Sequence, residues 1–147
     1  ADLALMDATE ASLWAGIAAL AVGSPLYDVG GAVEDCVVEA ARTEGASYGI
    51  VEEYVGHGIG TEMHQDPQVP NYRVRDRGPI LRSGVTVAIE PMITAGGHDV
   101  EGGDDCWAVY TRDRSLAAHC EHTVAVTDNG PRVLTRREPQ QDSDDRG

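Results

Sequence analysis

Val85-Thr86-Val87-Ala88-Ile89, followed by Glu90-Pro91-Met92, is the stretch that decides the fold. Five residues rich in β-branching suit a central strand, because branched side chains pack well on a pleated, two-sided surface. The run ends on a carboxylate. An unpaired charge at the end of a buried strand costs several kcal/mol, so Glu90 is either paired, metal-bound or turned to solvent.

Working outward, short β-prone segments flank this strand. Tyr48 to Tyr54 is one, and Trp107 to Thr111 and Thr123 to Val126 are others. Asp128-Asn129-Gly130 is a hairpin turn signal before Arg132-Val133-Leu134. Gly56-His57-Gly58-Ile59-Gly60 is too glycine-rich for a helix, and its plainest reading is a turn with an exposed histidine.

The first third has a different texture. Asp7-Ala8-Thr9-Glu10 has the spacing of a capping box, and Leu13, Ile17 and Leu20 follow at helical intervals until Gly23 and Pro25. Asp28 is a second N-cap candidate. Val29, Val33, Cys36, Val37 and Ala40 then form an apolar stripe ending near Gly45. The predicted class is α+β: an antiparallel helix pair followed by an antiparallel sheet. From Arg136 onward the composition cannot bury a core, and the tail over 137–147 is predicted to be disordered.

The bulk numbers narrow the function. A length of 147 residues suits one domain, and no apolar run approaches the roughly 18 residues needed to span a bilayer. The stretch from Leu13 to Val22 lacks the basic flank and cleavage site of a signal peptide, so the expected compartment is the cytoplasm. A net charge of −14 without a basic stripe excludes an ordinary nucleic-acid binder. Cys36, Cys106 and Cys120 include no CxxC pair, so neither a disulfide framework nor a zinc ribbon is indicated.

His57, Glu90 and Glu121 are the residues most suited to chemistry, each at a glycine turn or a strand end. For all three, the plainer alternative is an exposed loop or strand terminus. If they converge, one nitrogen with carboxylate oxygens suits manganese, iron, cobalt or zinc in a hydrolytic role.

Four segments together resemble type I methionine aminopeptidases from about Leu3 to Arg136. They are Gly56-His57-Gly58-Ile59-Gly60 with His64 and Pro67-Gln68-Val69-Pro70-Asn71-Tyr72, Ala88-Ile89-Glu90-Pro91-Met92-Ile93, Asp105-Cys106-Trp107 with Thr111-Arg112-Asp113-Arg114-Ser115-Leu116, and Glu121-His122-Thr123 with Val126-Thr127. The related Xaa-Pro dipeptidases tend to carry Glu-Pro-Gly and Glu-Asp at two of these places.

The resemblance implies residues 1–136 as the C-terminal half of a pita-bread catalytic domain that removes initiator methionine with metal-activated water. It implies His57 as the nitrogen ligand, Glu90 as a terminal carboxylate with proton duty, and Glu121 as a bridge. His64 would contact the scissile peptide, and Met63 and Trp107 would line the methionine pocket, an ordinary core role for Trp107 being the alternative. Met63, Gln65 and Cys106 depart from the family's usual aromatic, acidic and glycine residues, while His98 and His119 match no family ligand and read as structural or exposed. The family site holds two divalent metals through five ligands. Its two Asp ligands would fall upstream of Ala1, so one metal and impaired turnover are expected of this chain. The alternative is a non-catalytic pita-bread remnant or binding module. Implied partners are N-terminal peptides of nascent proteins and the ribosome presenting them, with no nucleic acid or membrane. Self-association through an open sheet edge is a further expectation.

Overall fold

The computed structural model describes residues 2–105 and 107–137. Cys106 and positions 138–147 of the expected disordered tail lie outside the described residues.

Helix α1 spans Asp2–Ala18. It begins five residues before the expected capping box, so Asp7 and Glu10 lie inside it. Two forces extend it. Leu3-Ala4-Leu5-Met6 are strong helix formers, and Leu5 is buried against Val37 and Ile93. Helix α2 spans Asp28–Glu44, with Tyr27 as its N-cap and no side-chain cap bond. Asp28 is therefore the first helical residue rather than the cap, where its charge still favours the positive helix end. Gly45 ends α2 at φ +63°, its N–H donating to the Ala41 carbonyl.

The helices are antiparallel. Leu5, early in α1, meets Val37, late in α2. Gly16, late in α1, lies beside Val29 and Val33, early in α2, where an added Cβ would approach Val33 Cγ2 to 2.9 Å. Gly30 lets α2 approach the chain after the third strand. A Cβ there would fall 2.7 Å from the Pro70 carbonyl oxygen and closer still to that of Tyr72.

The strands are β1 (Gly49–Ile50), β2 (Gly56–Gly58), β3 (Gln65–Val69), β4 (Thr86–Ile89), β5 (Met92–Thr94), β6 (Val100–Gly102), β7 (Val109–Thr111), β8 (Ala117–His119), β9 (His122–Thr127) and β10 (Gly130–Val133). Among the described residues they form a five-stranded sheet in the order β10-β9-β4-β2-β3, a three-stranded sheet β1-β5-β8 and a β6-β7 ribbon, with every pairing antiparallel. The dense β-branched run is thus the middle strand of the largest sheet, as its composition requires. Val87, Ala88 and Ile89 are fully buried. Burial of each of the two larger side chains contributes about 1.5–3 kcal/mol. The Asp-Asn-Gly signal joins β9 to β10, with Gly130 at φ +98° paired to Thr127.

The main core lies between the helix pair and the five-stranded sheet. Leu13, Ile17, Val29 and Val33 face Val69, Val87, Ile89, Val124 and Val126. The α+β expectation holds. Trp107 falls before β7 rather than within a strand, and β10 ends one residue before Leu134. No helix among the described residues is long and apolar enough to cross a membrane.

Candidate metal centre

The donors converge because of the strand register. His57 pairs with Ala88 across β2 and β4, so it is diagonal to Glu90 on the same face of the sheet. Ile89 pairs with His122 across β4 and β9. One further step along that ladder sets Glu90 opposite Glu121. Two cross-strand pairings therefore gather three residues that are distant in the chain.

Gly56-His57-Gly58 forms strand β2, which corrects the expectation of a turn. Its flanking glycines are not in the left-handed region. They are there for clearance. A Cβ on Gly56 would strike the Ala88 carbonyl of β4, and one on Gly58 would strike the Asp66 carbonyl of β3. Neighbouring backbones press in from both sides, and only glycine fits.

His57 Nδ1 lies 3.0 Å from the Gly58 carbonyl oxygen. A carbonyl only accepts, so Nδ1–H donates and Nε2 is the ring nitrogen left to face outward. That Nε2 lies 3.4 Å from Glu90 Oε1, and the Glu90 side chain is 13% exposed. Glu121 is exposed, and the three residues each offer a ligand atom such that all lie within 4.8 Å of one another. Three electron-rich atoms this close are mutually repulsive unless a cation or a proton sits among them. One imidazole nitrogen with carboxylate oxygens suits a divalent transition metal. On this observation the residues fit a metal ion.

Burial raises the Glu90 carboxyl above its usual value, and the neighbouring Glu121 charge raises it further, while His57 opposes both. Asn71, fully buried, donates from Nδ2 to the Glu90 backbone carbonyl at 3.3 Å and pins the strand end.

His64 is exposed and its ring stands 4.3 Å from that of His57, tilted by 46°. The structure thus brings His64 beside the donor group. Met63 is 73% exposed and Trp107 90% exposed. Trp107 is therefore no core residue, and neither side chain is enclosed. His98 is exposed and faces Asp99.

His119 was read as structural or exposed, and it is exposed. It also makes a contact that exposure alone does not announce: His119 Nε2 lies 3.7 Å from Glu90 Oε2. The available signal was its spacing, two residues before Glu121, which in an extended chain puts both on one face. Asn71 was legible only as part of the Pro-Asn segment.

The sequence pattern of metallopeptidase family M24 matches residues 1–128. Methionine aminopeptidase 1 of Mycobacterium tuberculosis is 54% identical over 135 residues, which cover 92% of this chain and 51% of that protein. The methionine aminopeptidase of Clostridium acetobutylicum is 45% identical over 131 residues, covering 89% and 50%. The crystal structure of methionine aminopeptidase from Rickettsia prowazekii superposes with a TM-score of 0.80 at 35% identity, covering 92% of this chain and 52% of that one. A prolidase from Pyrococcus horikoshii, 20% identical with a TM-score of 0.63, shares the fold alone. The chain spans about half the length of the curated relatives it matches. Its α+β arrangement is shared with pita-bread methionine aminopeptidases.

Proposed function

Because the chain belongs to metallopeptidase family M24, we propose that it supplies the His57, Glu90 and Glu121 side of a divalent-metal centre that removes N-terminal methionine from peptides. The convergence of these three donors within 4.8 Å carries the reading. Relatives named methionine aminopeptidase supply the substrate.

A bound divalent metal would supply a water of lowered pKa and would polarise the scissile carbonyl. His57 would hold it through Nε2, Glu90 through a carboxylate oxygen, and Glu121 from the exposed side. Glu90 has a second duty. Its carboxylate, largely buried in the donor group, would take the proton of the attacking water and return it to the leaving amine. His64, exposed beside His57, would donate to the peptide oxygen as negative charge develops there. Met63 and Trp107, both exposed, would offer apolar surface to the methionine side chain. The donor set accepts cobalt, manganese, iron or zinc.

A second reading is a one-metal binding module without turnover. It is favoured by the donor group itself, which among the described residues holds three ligands. Hydrolysis of Met-Ala-Ser by the chain with cobalt or manganese separates the two. Slow methionine release that Glu121→Ala abolishes supports the peptidase. Metal binding without any release supports the binding module, and absence of both overturns the metal centre.

A further inference from the structure

His119 ends β8 opposite Met92 of β5. Its Nε2 lies 3.7 Å from Glu90 Oε2, while Oε1 of the same carboxylate faces His57 Nε2 at 3.4 Å. Each oxygen of Glu90 therefore has its own imidazole. The two imidazoles stand differently to the donor group, which is formed by His57, Glu90 and Glu121 without His119.

A carboxylate that gives one oxygen to a cation leaves the other in need of a hydrogen-bond donor, and such outer partners fix the ligand's orientation. Glu121 cannot fill that need when ionised. Asn71 is committed to the Glu90 backbone carbonyl. His119 turns its Nε2 to this oxygen and, in the Nε2–H tautomer, would supply the donor. The present 3.7 Å is longer than a formed hydrogen bond, and the His119 side chain, 46% exposed, has room to swing across the difference.

Resting on the metal-centre reading above, we infer that His119 is a positioning residue whose Nε2–H holds Glu90 Oε2, leaving Oε1 turned toward His57 and Glu121 to receive a divalent cation. It acts through Glu90 and does not itself ligate. The role accounts for an imidazole that stands at a strand end beside the donor group without joining it.

Calorimetric titration of the 147-residue chain with Mn²⁺, and absorption spectra with Co²⁺, test this in the wild type, His119→Ala, His119→Gln and, as a control, His98→Ala. His119→Ala is expected to weaken metal binding about 10–100-fold, the range typical of outer-shell partners, and to alter the visible Co²⁺ bands. His119→Gln, which keeps a donor, is expected to recover most of the affinity, and His98→Ala to leave it unchanged. Metal-free thermal unfolding should match across the set, since a half-exposed strand end carries little of the core. Wild-type affinity and spectrum in His119→Ala would overturn the inference alone, as would a glutamine variant as weak as alanine. A wild type that binds no metal would overturn the metal centre and this role together.

Discussion

His57 Nε2 and Glu90 Oε1 face each other at 3.4 Å, one from β2 and the other from the end of β4. With His57 Nδ1–H directed at the Gly58 carbonyl, Nε2 is the ring nitrogen that meets the carboxylate. Glu90 binds its proton more tightly than an ordinary carboxyl, through burial first and the Glu121 charge second, with His57 opposing both. Without metal, the ionised form is a cost to the folded state. That cost is fully present above the raised folded pKa and fades as pH falls toward the ordinary value. Glu90→Gln should therefore stabilise the metal-free protein at neutral pH, and the gain should shrink as pH falls toward 4. The same change should weaken Mn²⁺ binding by about 100-fold or more, beyond what loss of an outer partner does. Urea melts at several pH values and calorimetry read the two effects, and a variant that loses both stability and affinity would contradict the assignment.

Gly30 lies where α2 crosses the Pro70 and Tyr72 carbonyls. In an open helix, Gly→Ala gains about 1 kcal/mol. Here the added methyl meets backbone oxygens, which cannot rotate away. Gly30→Ala should lose about 1–3 kcal/mol net, the usual cost of overpacking. Chemical denaturation measures it, and a stabilised variant would show that the helix sits farther from this segment.

Asp113 provides the acid-limb prediction. The Ser115 hydroxyl, then the backbone N–H groups of Ser115 and Gly97, hold its carboxyl down at about 2. A lowered folded pKa gives stability that is present above the unfolded value of 3.8 and lost as pH falls through about 2. Thermal melts of the wild type should therefore decline over that window, and Asp113→Asn should flatten the decline. Parallel acid limbs in the two proteins would remove Asp113 from the account.

Ile89 is the last residue of the middle strand and is fully buried against the helix pair. Ile89→Ala should cost about 2–5 kcal/mol, through lost burial and the cavity left behind. Because Ile89 immediately precedes Glu90, metal affinity should fall as well. A variant destabilised to this extent with unchanged Mn²⁺ affinity would show that core packing and donor placement are independent.

Much of this was legible in the residues because the local signals agreed with the tertiary demand. The Val85–Ile89 run had both the composition and the position of a middle strand, and the Asp-Asn-Gly turn became the hairpin it promised. Where local and tertiary signals differed, packing won. The Asp7–Glu10 spacing is that of a helix start, yet the burial of Leu5 carries α1 back to Asp2. The glycines around His57 suggested unusual φ angles, but their function is clearance between strands, which no local pattern reports. The three donors stood out by residue type at glycine turns or strand ends and took their roles from family likeness, but their convergence comes from strand register rather than spacing along the chain. For His119 the one signal was its spacing from Glu121, a weak one because β8 is only three residues long and ends at His119.

The ladders that join β2, β4 and β9 make the donor group a noncovalent staple. Its arms come from distant parts of the chain, so the unfolded polypeptide offers no equivalent binding place. A cation held there would tie three strands at one point and raise the melting temperature with concentration, adding about 2.7 kcal/mol at a hundred times its dissociation constant. A slip of one residue in either ladder would turn a donor to the opposite face. Ion uptake would then double as a gauge of correct strand alignment, rising only as the native pairing forms.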